Sequence, residues 1–131
     1  MSKVTMTELR DTLYLLIYNN ITQNVHLDEL PKATKKIDKM VMLDFSSTIN
    51  DLKAFQNGIV RVWLCVKDSD FGKSLGEMEN DFDTMLANYR ASNKGKRIEL
   101  DRRSTFVDTL PSNSLRCMII ELRVKLKENN I

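Results

Sequence analysis

The chain contains few of the residues that break regular structure, and few of those that usually carry chemistry. Among its 131 residues are four glycines, two prolines, two cysteines and one histidine. So few glycines and prolines argue against long disordered linkers and against a small, loop-rich fold. Charges of both signs are interspersed, and the formal net charge of +2 is too small to indicate a nucleic-acid-binding protein by itself.

The scarcity of histidine and cysteine excludes the common catalytic and metal-binding arrangements. His26 stands alone in a polar segment, whereas nucleophilic catalysis and metal sites both require several partner groups. Cys65 and Cys117 lack CxxC partners, so a zinc site is not expected. Each falls in a predicted strand, where a free, buried cysteine that packs as a small hydrophobe is favoured over a disulfide. We therefore expect a protein that is not an enzyme and that has no cofactor or metal.

Long apolar runs are also absent. The apolar segment Leu13–Tyr18 is too short to cross a bilayer, and the polar start Met1–Thr7 does not resemble a signal peptide. The length suits one domain, residues 1–131, that buries a sizeable core without covalent support. We expect an intracellular protein, or one assembled inside a cell, with no membrane partner.

The first strong pattern is an N-terminal helix that opens with a capping box at Thr5 and Glu8 and ends near Asn20–Gln23. Its apolar residues follow helical spacing: Met6, Leu9, Leu13, Leu16, Ile17 and Ile21. Three further apolar side chains widen this stripe beyond one face: Tyr14, Leu15 and Tyr18. A helix of this kind lies deep in its own domain, which is the favoured interpretation, or it meets a neighbouring chain.

Two strands are predicted in the centre of the chain. The first, Lys39–Phe45, comes after an irregular segment, Val25–Ala33. The second, Ile59–Lys67, follows Asn57-Gly58, a turn signal that favours an antiparallel neighbour. The segment before this turn is ambiguous between a short helical turn and an excursion between strands. One face of the second strand is apolar throughout: Val60, Val62, Leu64 and Val66.

A second amphipathic helix is predicted over residues 74–91. Its apolar stripe consists of Leu75, Met78, Phe82, Met85, Leu86 and Tyr89. Gly72-Lys73-Ser74 resembles the end of a phosphate-binding loop, but Lys67 stands where that loop requires a glycine. Because Ser74 and Glu77 fit a helix capping box better, no nucleotide site is expected.

The C-terminal part of the chain predicts further strands. Lys96–Asp101 reads as a short strand, and Arg102–Asn113 as a loop with an extended piece at Thr105–Val107. Ser114–Lys127 alternates between apolar and charged residues over most of its length and predicts a long strand with one buried and one solvated face. The expected fold class is α+β, in which a mostly antiparallel sheet of about four strands packs against the central amphipathic helix.

Two groups of residues are candidates for partner contacts. Trp63, on the second face of its strand, either packs beneath the N-terminal helix or anchors a subunit contact. A basic cluster contains Lys94, Lys96, Arg97, Arg102 and Arg103. This cluster is a candidate phosphate-facing surface, although Glu99 and Asp101 lie within it and ion pairs among these residues are favoured.

This order of elements resembles the small α+β proteins that form rings at the neck and tail of tailed bacteriophages, namely tail-terminator, tail-completion and related connector proteins. The resemblance covers Thr5–Lys127 and rests on element order, size and the lack of catalytic groups. It implies a structural virion protein, assembled in the host cytoplasm as a cyclic homo-oligomer of six- or twelve-fold symmetry around a DNA channel.

The resemblance also implies neighbouring virion proteins as partners and non-specific contact of the basic cluster with channel DNA. The residues expected at subunit interfaces are Tyr14, Tyr18, Arg61, Trp63, Arg123 and Lys125. The alternative is a small nucleic-acid-binding or regulatory adaptor that uses Lys94–Arg103.

Overall fold

The computed structural model describes residues 6–29, 38–45, 56–67, 73–92, 98–110 and 115–126. They form two helices and five strands: α1 (Met6–Asn20), β1 (Val25–Leu27), β2 (Lys39–Asp44), β3 (Gln56–Lys67), α2 (Lys73–Ser92), β4 (Ile98–Leu110) and β5 (Leu115–Leu126). The strands make one sheet in the order β1-β2-β3-β5-β4. β1 runs parallel to β2, and the other neighbouring pairs are antiparallel. The predicted α+β class is confirmed, with five strands where about four were expected.

Both helices cover one face of this sheet, which we call the helix face. Side chains of β3 alternate between the two faces, so the predicted apolar set from Val60 to Val66 points towards the helices and is fully buried. The helices bury against it the following residues: Leu9, Leu13, Ile17, Leu75, Met78, Phe82, Met85 and Leu86. Each such burial contributes about 1.5–3 kcal/mol. Neither helix is long and apolar enough to cross a membrane.

The opposite face, which we call the far face, is divided into two halves. One half holds a small buried cluster: Met40, Met42, Cys65, Leu115 and Cys117, with Trp63 half-buried at its border. We call these six residues the far-face cluster. The other half carries charged side chains from β3 and β5, because the same alternation that buries their neighbours turns these residues away from the helices.

The first helix ends at Asn20 and β2 and β5 lie where the sequence predicts them, within a residue or two at each end. α2 begins at Lys73, one residue before its predicted start, so Ser74 lies inside the first turn. The cap position Thr5 and the residues 93–97 after α2 lie outside the described residues, as does the ambiguous segment 46–55.

Two predictions for the first half of the sheet are wrong. Val25–Ala33 is not wholly irregular, since it contains β1, which pairs with β2 from Val25 opposite Val41 to Leu27 opposite Leu43. A strand of three residues is too short to show an alternating pattern. Asn57-Gly58 is not a turn, because both residues lie in β3 and pair with β5.

The predicted loop Arg102–Asn113 is also wrong for most of its length. β4 runs without a break from Ile98 to Leu110, and its register against β5 shifts between Arg102 and Thr105. A bulge of this kind inserts an extra residue and reverses the in–out alternation beyond it. The two halves of the strand therefore look unrelated in the sequence, although they form one element.

Candidate assembly surfaces

The outer side of α1 exposes apolar surface. Among the described residues the exposed large hydrophobic side chains are Leu15, at 54%, and Tyr18, at 37%. The Tyr14 and Tyr18 rings stack with centroids 5.8 Å apart, because residues four positions apart are neighbours on a helix. We call Tyr14, Leu15 and Tyr18 the α1 strip. The favoured expectation that the wide stripe lies deep in its own domain is therefore wrong for this side of the helix.

A shallow depression adjoins the α1 strip. It has a volume of about 300 Å³, opens to solvent, and is lined by Thr12, Leu15, Leu16, Asn19, Asn20 and Tyr89. The Tyr89 hydroxyl donates to the carbonyl of Ile98 at 2.7 Å, and burial raises the pKa of the Tyr89 phenol. This bond ties the wall of the depression to β4. The lining offers an apolar floor and an amide rim, which suits a partner's side chain.

Polar contacts at Asp28 fix α1 against the sheet. Asp28 has a φ of 64°, and its amide donates to the Leu43 carbonyl at 2.8 Å. Its carboxylate accepts from the Phe45 amide at 2.8 Å and from Arg10 of α1 at 2.7 Å. Burial alone would raise the pKa of Asp28, but these two donors outweigh it and hold that pKa below its ordinary value. The Arg10 guanidinium also lies 4.7 Å from the centre of the Phe45 ring.

His26 takes part in the same region as a structural residue. Its Nε2 lies 2.8 Å from the Asn24 side-chain oxygen, and the Asn24 amide group donates to the Lys39 carbonyl at 3.2 Å. These bonds join β1 to the start of β2. No group of three or more histidine, cysteine or acidic side chains among the described residues is placed to hold a metal ion.

The structure brings Arg61, Trp63, Arg123 and Lys125 together on the far face. In the strand register Arg61 lies opposite Glu121, Arg123 opposite Asp101, and Lys125 opposite Glu99. The Arg61–Glu121 ion pair measures 3.8 Å, and Ser104 donates to the Glu121 carboxylate. Opposite charges at such positions contribute roughly 0.2–1 kcal/mol each. The charged half of the far face therefore carries charges of both signs and is not simply basic, although Asp101 also lies 3.6 Å from Arg90 of α2.

Trp63 lies on the far face and not beneath α1, so the first of its two predicted roles is wrong. It is opposite Met42 in the register and half-buried at the border of the far-face cluster. Its indole nitrogen is buried and has no hydrogen-bond acceptor among the described residues. The role of a subunit contact stays a prediction.

Arg102 of the predicted basic cluster turns towards α2. It donates to Asp83 at 2.9 and 3.1 Å, to Glu79, and to the Thr105 hydroxyl. Burial opposes its charge, but the two carboxylates outweigh this and raise the pKa of Arg102. Its charge is therefore neutralised within the fold. This group of Arg102, Glu79 and Asp83 was not predicted from the sequence, although Arg102 continues the helix-face alternation of Ile98 and Leu100.

The other members of the basic cluster are not brought together. Arg103 is exposed in β4 next to the bulge, whereas Lys94, Lys96 and Arg97 lie outside the described residues. The structure thus gives no continuous basic surface over the described part of the chain.

Cys65 and Cys117 form a disulfide, so the expectation of two free cysteines is wrong. They lie directly opposite each other on β3 and β5, with Cα atoms 4.2 Å apart. This separation is typical of antiparallel positions where side chains approach most closely. The pairing depends on β5 inserting beside β3, which neither cysteine's own neighbours in the sequence indicate.

No protein-family model and no curated protein matches this chain. The basis for its function is therefore the set of surfaces described above: the α1 strip with its depression, and the charged half of the far face.

Proposed function

We propose that the chain is a structural virion assembly protein that forms a ring in the neck or tail of a tailed bacteriophage, in a connector, tail-terminator or completion role. The observation that carries this proposal is the α1 strip. Exposed apolar side chains concentrated on one helix are typical of a surface that a partner covers. Stacked tyrosines supply much contact area with little conformational freedom to lose, as interface residues often do.

The positions of the candidate interface residues support head-to-tail assembly. Tyr14 and Tyr18 lie on the helix side of the sheet, whereas Arg61, Arg123 and Lys125 lie on the far face. A ring requires two different surfaces on each subunit, one for each neighbour, and these two groups face away from each other. The charged half of the far face can fix the orientation of a neighbouring subunit and discriminate between partners, while the α1 strip provides apolar contact area.

The alternative, a nucleic-acid-binding or regulatory adaptor, draws less support. Arg102 is engaged by Glu79 and Asp83, so the basic cluster loses one of its five cations to the fold. Contact with channel DNA, as a part of the ring proposal, would then fall to Arg103 and to the basic residues outside the described ranges.

The test is the oligomeric state of the purified chain, measured by light scattering and native mass spectrometry and imaged by electron microscopy. We expect closed rings, alone or after mixing with the proteins encoded by the genes that flank its own. Leu15→Asp should weaken association at least about tenfold, because it places a charge within the apolar contact. The matched control is Ala87→Asp, on the exposed side of α2, which should assemble normally.

Circular dichroism and thermal unfolding of both variants show whether either change disturbs the fold itself. A wild-type chain that stays monomeric at every concentration and does not bind those neighbouring proteins overturns the proposal. So does equal loss of assembly in Leu15→Asp and Ala87→Asp, since the α1 strip would then have no special part in it.

A further inference from the structure

The disulfide lies at the centre of the far-face cluster. Met40, Cys65 and Cys117 form one row across β2, β3 and β5, and all three are fully buried. Met42 and Trp63 form the next row along β2 and β3. A thiol reagent must contact a sulfur atom in line with the S–S bond, and this packing leaves it no path in the closed state.

The far-face cluster is separate from the main core. The sheet itself stands between the two, because successive residues of β3 and β5 alternate between the helix face and the far face. Among the described residues the cluster is also much the smaller of the two groups of buried residues. Since the free energy of local opening follows the number of buried apolar contacts, the far face should open more easily than the helix face.

We propose that the Cys65–Cys117 disulfide is a redox-sensitive lock that changes state only when the far-face cluster opens, while the helix-face core stays folded. This inference rests on the position of the disulfide. The bond joins two neighbouring strands and is surrounded by a small apolar cluster on the face of the sheet opposite the helices. It goes beyond the proposed function and holds whether or not the chain assembles into rings.

The chemistry of the lock balances with an ordinary dithiol and an ordinary disulfide. In the opened state a reductant thiolate attacks one sulfur of the pair, the Cys65–Cys117 bond breaks, and a mixed disulfide forms. The second thiolate of the reductant then displaces the remaining cysteine. Two electrons and two protons end on Cys65 and Cys117 as thiols, and the reductant becomes a cyclic disulfide. An oxidised glutathione-type disulfide reverses the exchange.

Through this lock the stability of the fold depends on whether the protein's environment is reducing or oxidising. In a reducing cytoplasm a newly made chain folds with two thiols, and the bond forms when the protein meets a disulfide oxidant. Once the far-face cluster has closed over the bond, reduction is slow even if reductant returns. The oxidised state is then retained by burial.

The test follows the appearance of thiols in the oxidised protein under native conditions. Excess dithiothreitol is added, samples are alkylated with iodoacetamide at intervals, and mass spectrometry counts the alkyl groups. The reduction rate of the wild type should rise only shallowly in low urea concentrations that leave the helical circular dichroism signal intact, because opening of the small far-face cluster exposes little surface. A steep rise would mean that reduction requires global unfolding and would overturn the proposal. Reduction of the native protein as fast as that of a short cystine peptide overturns the proposal, as does free reactivity of both cysteines before reductant is added.

Two truncations separate opening of the far face from global unfolding. Met40→Ala removes cover from the disulfide, whereas Val124→Ala removes a fully buried side chain from the helix face of β5. The two variants are compared at urea concentrations that give them equal global stability. The disulfide of Met40→Ala should then be reduced at least about tenfold faster than that of Val124→Ala. Tenfold corresponds to a free energy of local opening that is lower by about 1.4 kcal/mol. Equal rates would mean that reduction follows global unfolding and would overturn the proposal. Met42→Ala is the milder substitute if Met40→Ala does not fold.

Discussion

The two faces of the sheet are stabilised by different means. The helix face is a continuous apolar layer that two amphipathic helices cover, and the charged residue Arg102 at its edge is paired with Glu79 and Asp83. The far face has a small cluster around a disulfide and, next to it, a row of half-buried and exposed charges opposite one another. One face therefore depends on apolar area, and the other on a covalent bond and on register.

This difference separates stability from recognition. Residues that the helices cover are committed to the core, so within the described part of the chain the ring proposal assigns partner contacts to the outer side of α1 and to the charged half of the far face. The disulfide stabilises the sheet from the far face, next to the charged half of that face. If the two faces are stabilised by different means, loss of the covalent bond should have the largest effect on stability.

Removal of the disulfide should give the largest effect. Cys65→Ala with Cys117→Ala should lower the free energy of unfolding by about 2–4 kcal/mol relative to the oxidised wild type, because the bond closes a long loop in the unfolded chain. The two cysteines are 52 residues apart in sequence. Urea unfolding monitored by circular dichroism measures the difference.

The control for this prediction is the same comparison after the wild type has been unfolded and refolded in reductant. Most of the difference should then disappear, leaving only the smaller cost of lost side-chain volume at two buried sites. A difference that is the same in reduced and oxidised wild type would show that the two sulfurs stabilise the far face by packing alone.

The sequence predicts the helix face well because its elements are long and regular. The stripe of α2 and the alternation of β3 and β5 repeat often enough to identify both the element and its buried side. The extra apolar width of α1 marks the residues of the α1 strip, but the favoured interpretation placed them in the core, and their exposure is seen only in the structure. Grouping of Arg61 and Trp63 on one face follows from the same alternation along β3.

The remaining features depend on contacts between residues distant in the sequence. The disulfide requires knowledge that β5 pairs with β3, and strand order cannot be derived from the pattern of either strand alone. The bulge in β4 interrupts the alternation and makes a 13-residue strand resemble a loop. Arg102 looks solvent-exposed in the sequence because its carboxylate partners lie on α2, about twenty residues earlier in the chain, and meet it only when α2 packs over the helix face.

Arg102 tests whether a charge can stabilise the helix face. Arg102→Met should lower the free energy of unfolding by about 1–3 kcal/mol, because Glu79 and Asp83 lose the guanidinium that neutralises them. The side chain of Arg102 is only 23% exposed, but that of Asp83 is 52% exposed and regains water, which places the expected loss at the lower end. Urea unfolding at low and moderate salt is the measurement.

Arg103→Met is the matched control, since the neighbouring Arg103 is exposed and its loss should change the stability little. A second control adds Glu79→Gln and Asp83→Asn to the Arg102 variant, which should recover part of the lost stability. Equal effects of Arg102→Met and Arg103→Met would show that the group of Arg102, Glu79 and Asp83 adds nothing to packing on this face.

Asp28 should give the smallest effect, and one that depends on pH. Its folded-state pKa lies below the ordinary value of 3.8. Its contribution to the free energy of unfolding is therefore fully present above pH 3.8 and is lost as the pH falls through the lower folded pKa.

Asn tolerates positive φ, so Asp28→Asn removes the charge without straining the backbone. We expect a loss of about 0.2–1 kcal/mol at neutral pH, since both side chains of the pair with Arg10 are about one-third exposed and water screens the interaction. The difference between wild type and variant should close below pH 3.8, whereas Asp11→Asn, an exposed acid on α1, should show a smaller difference at neutral pH. A difference for Asp28→Asn that persists in acid would mean that its hydrogen bonds, and not its charge, fix α1 to the sheet.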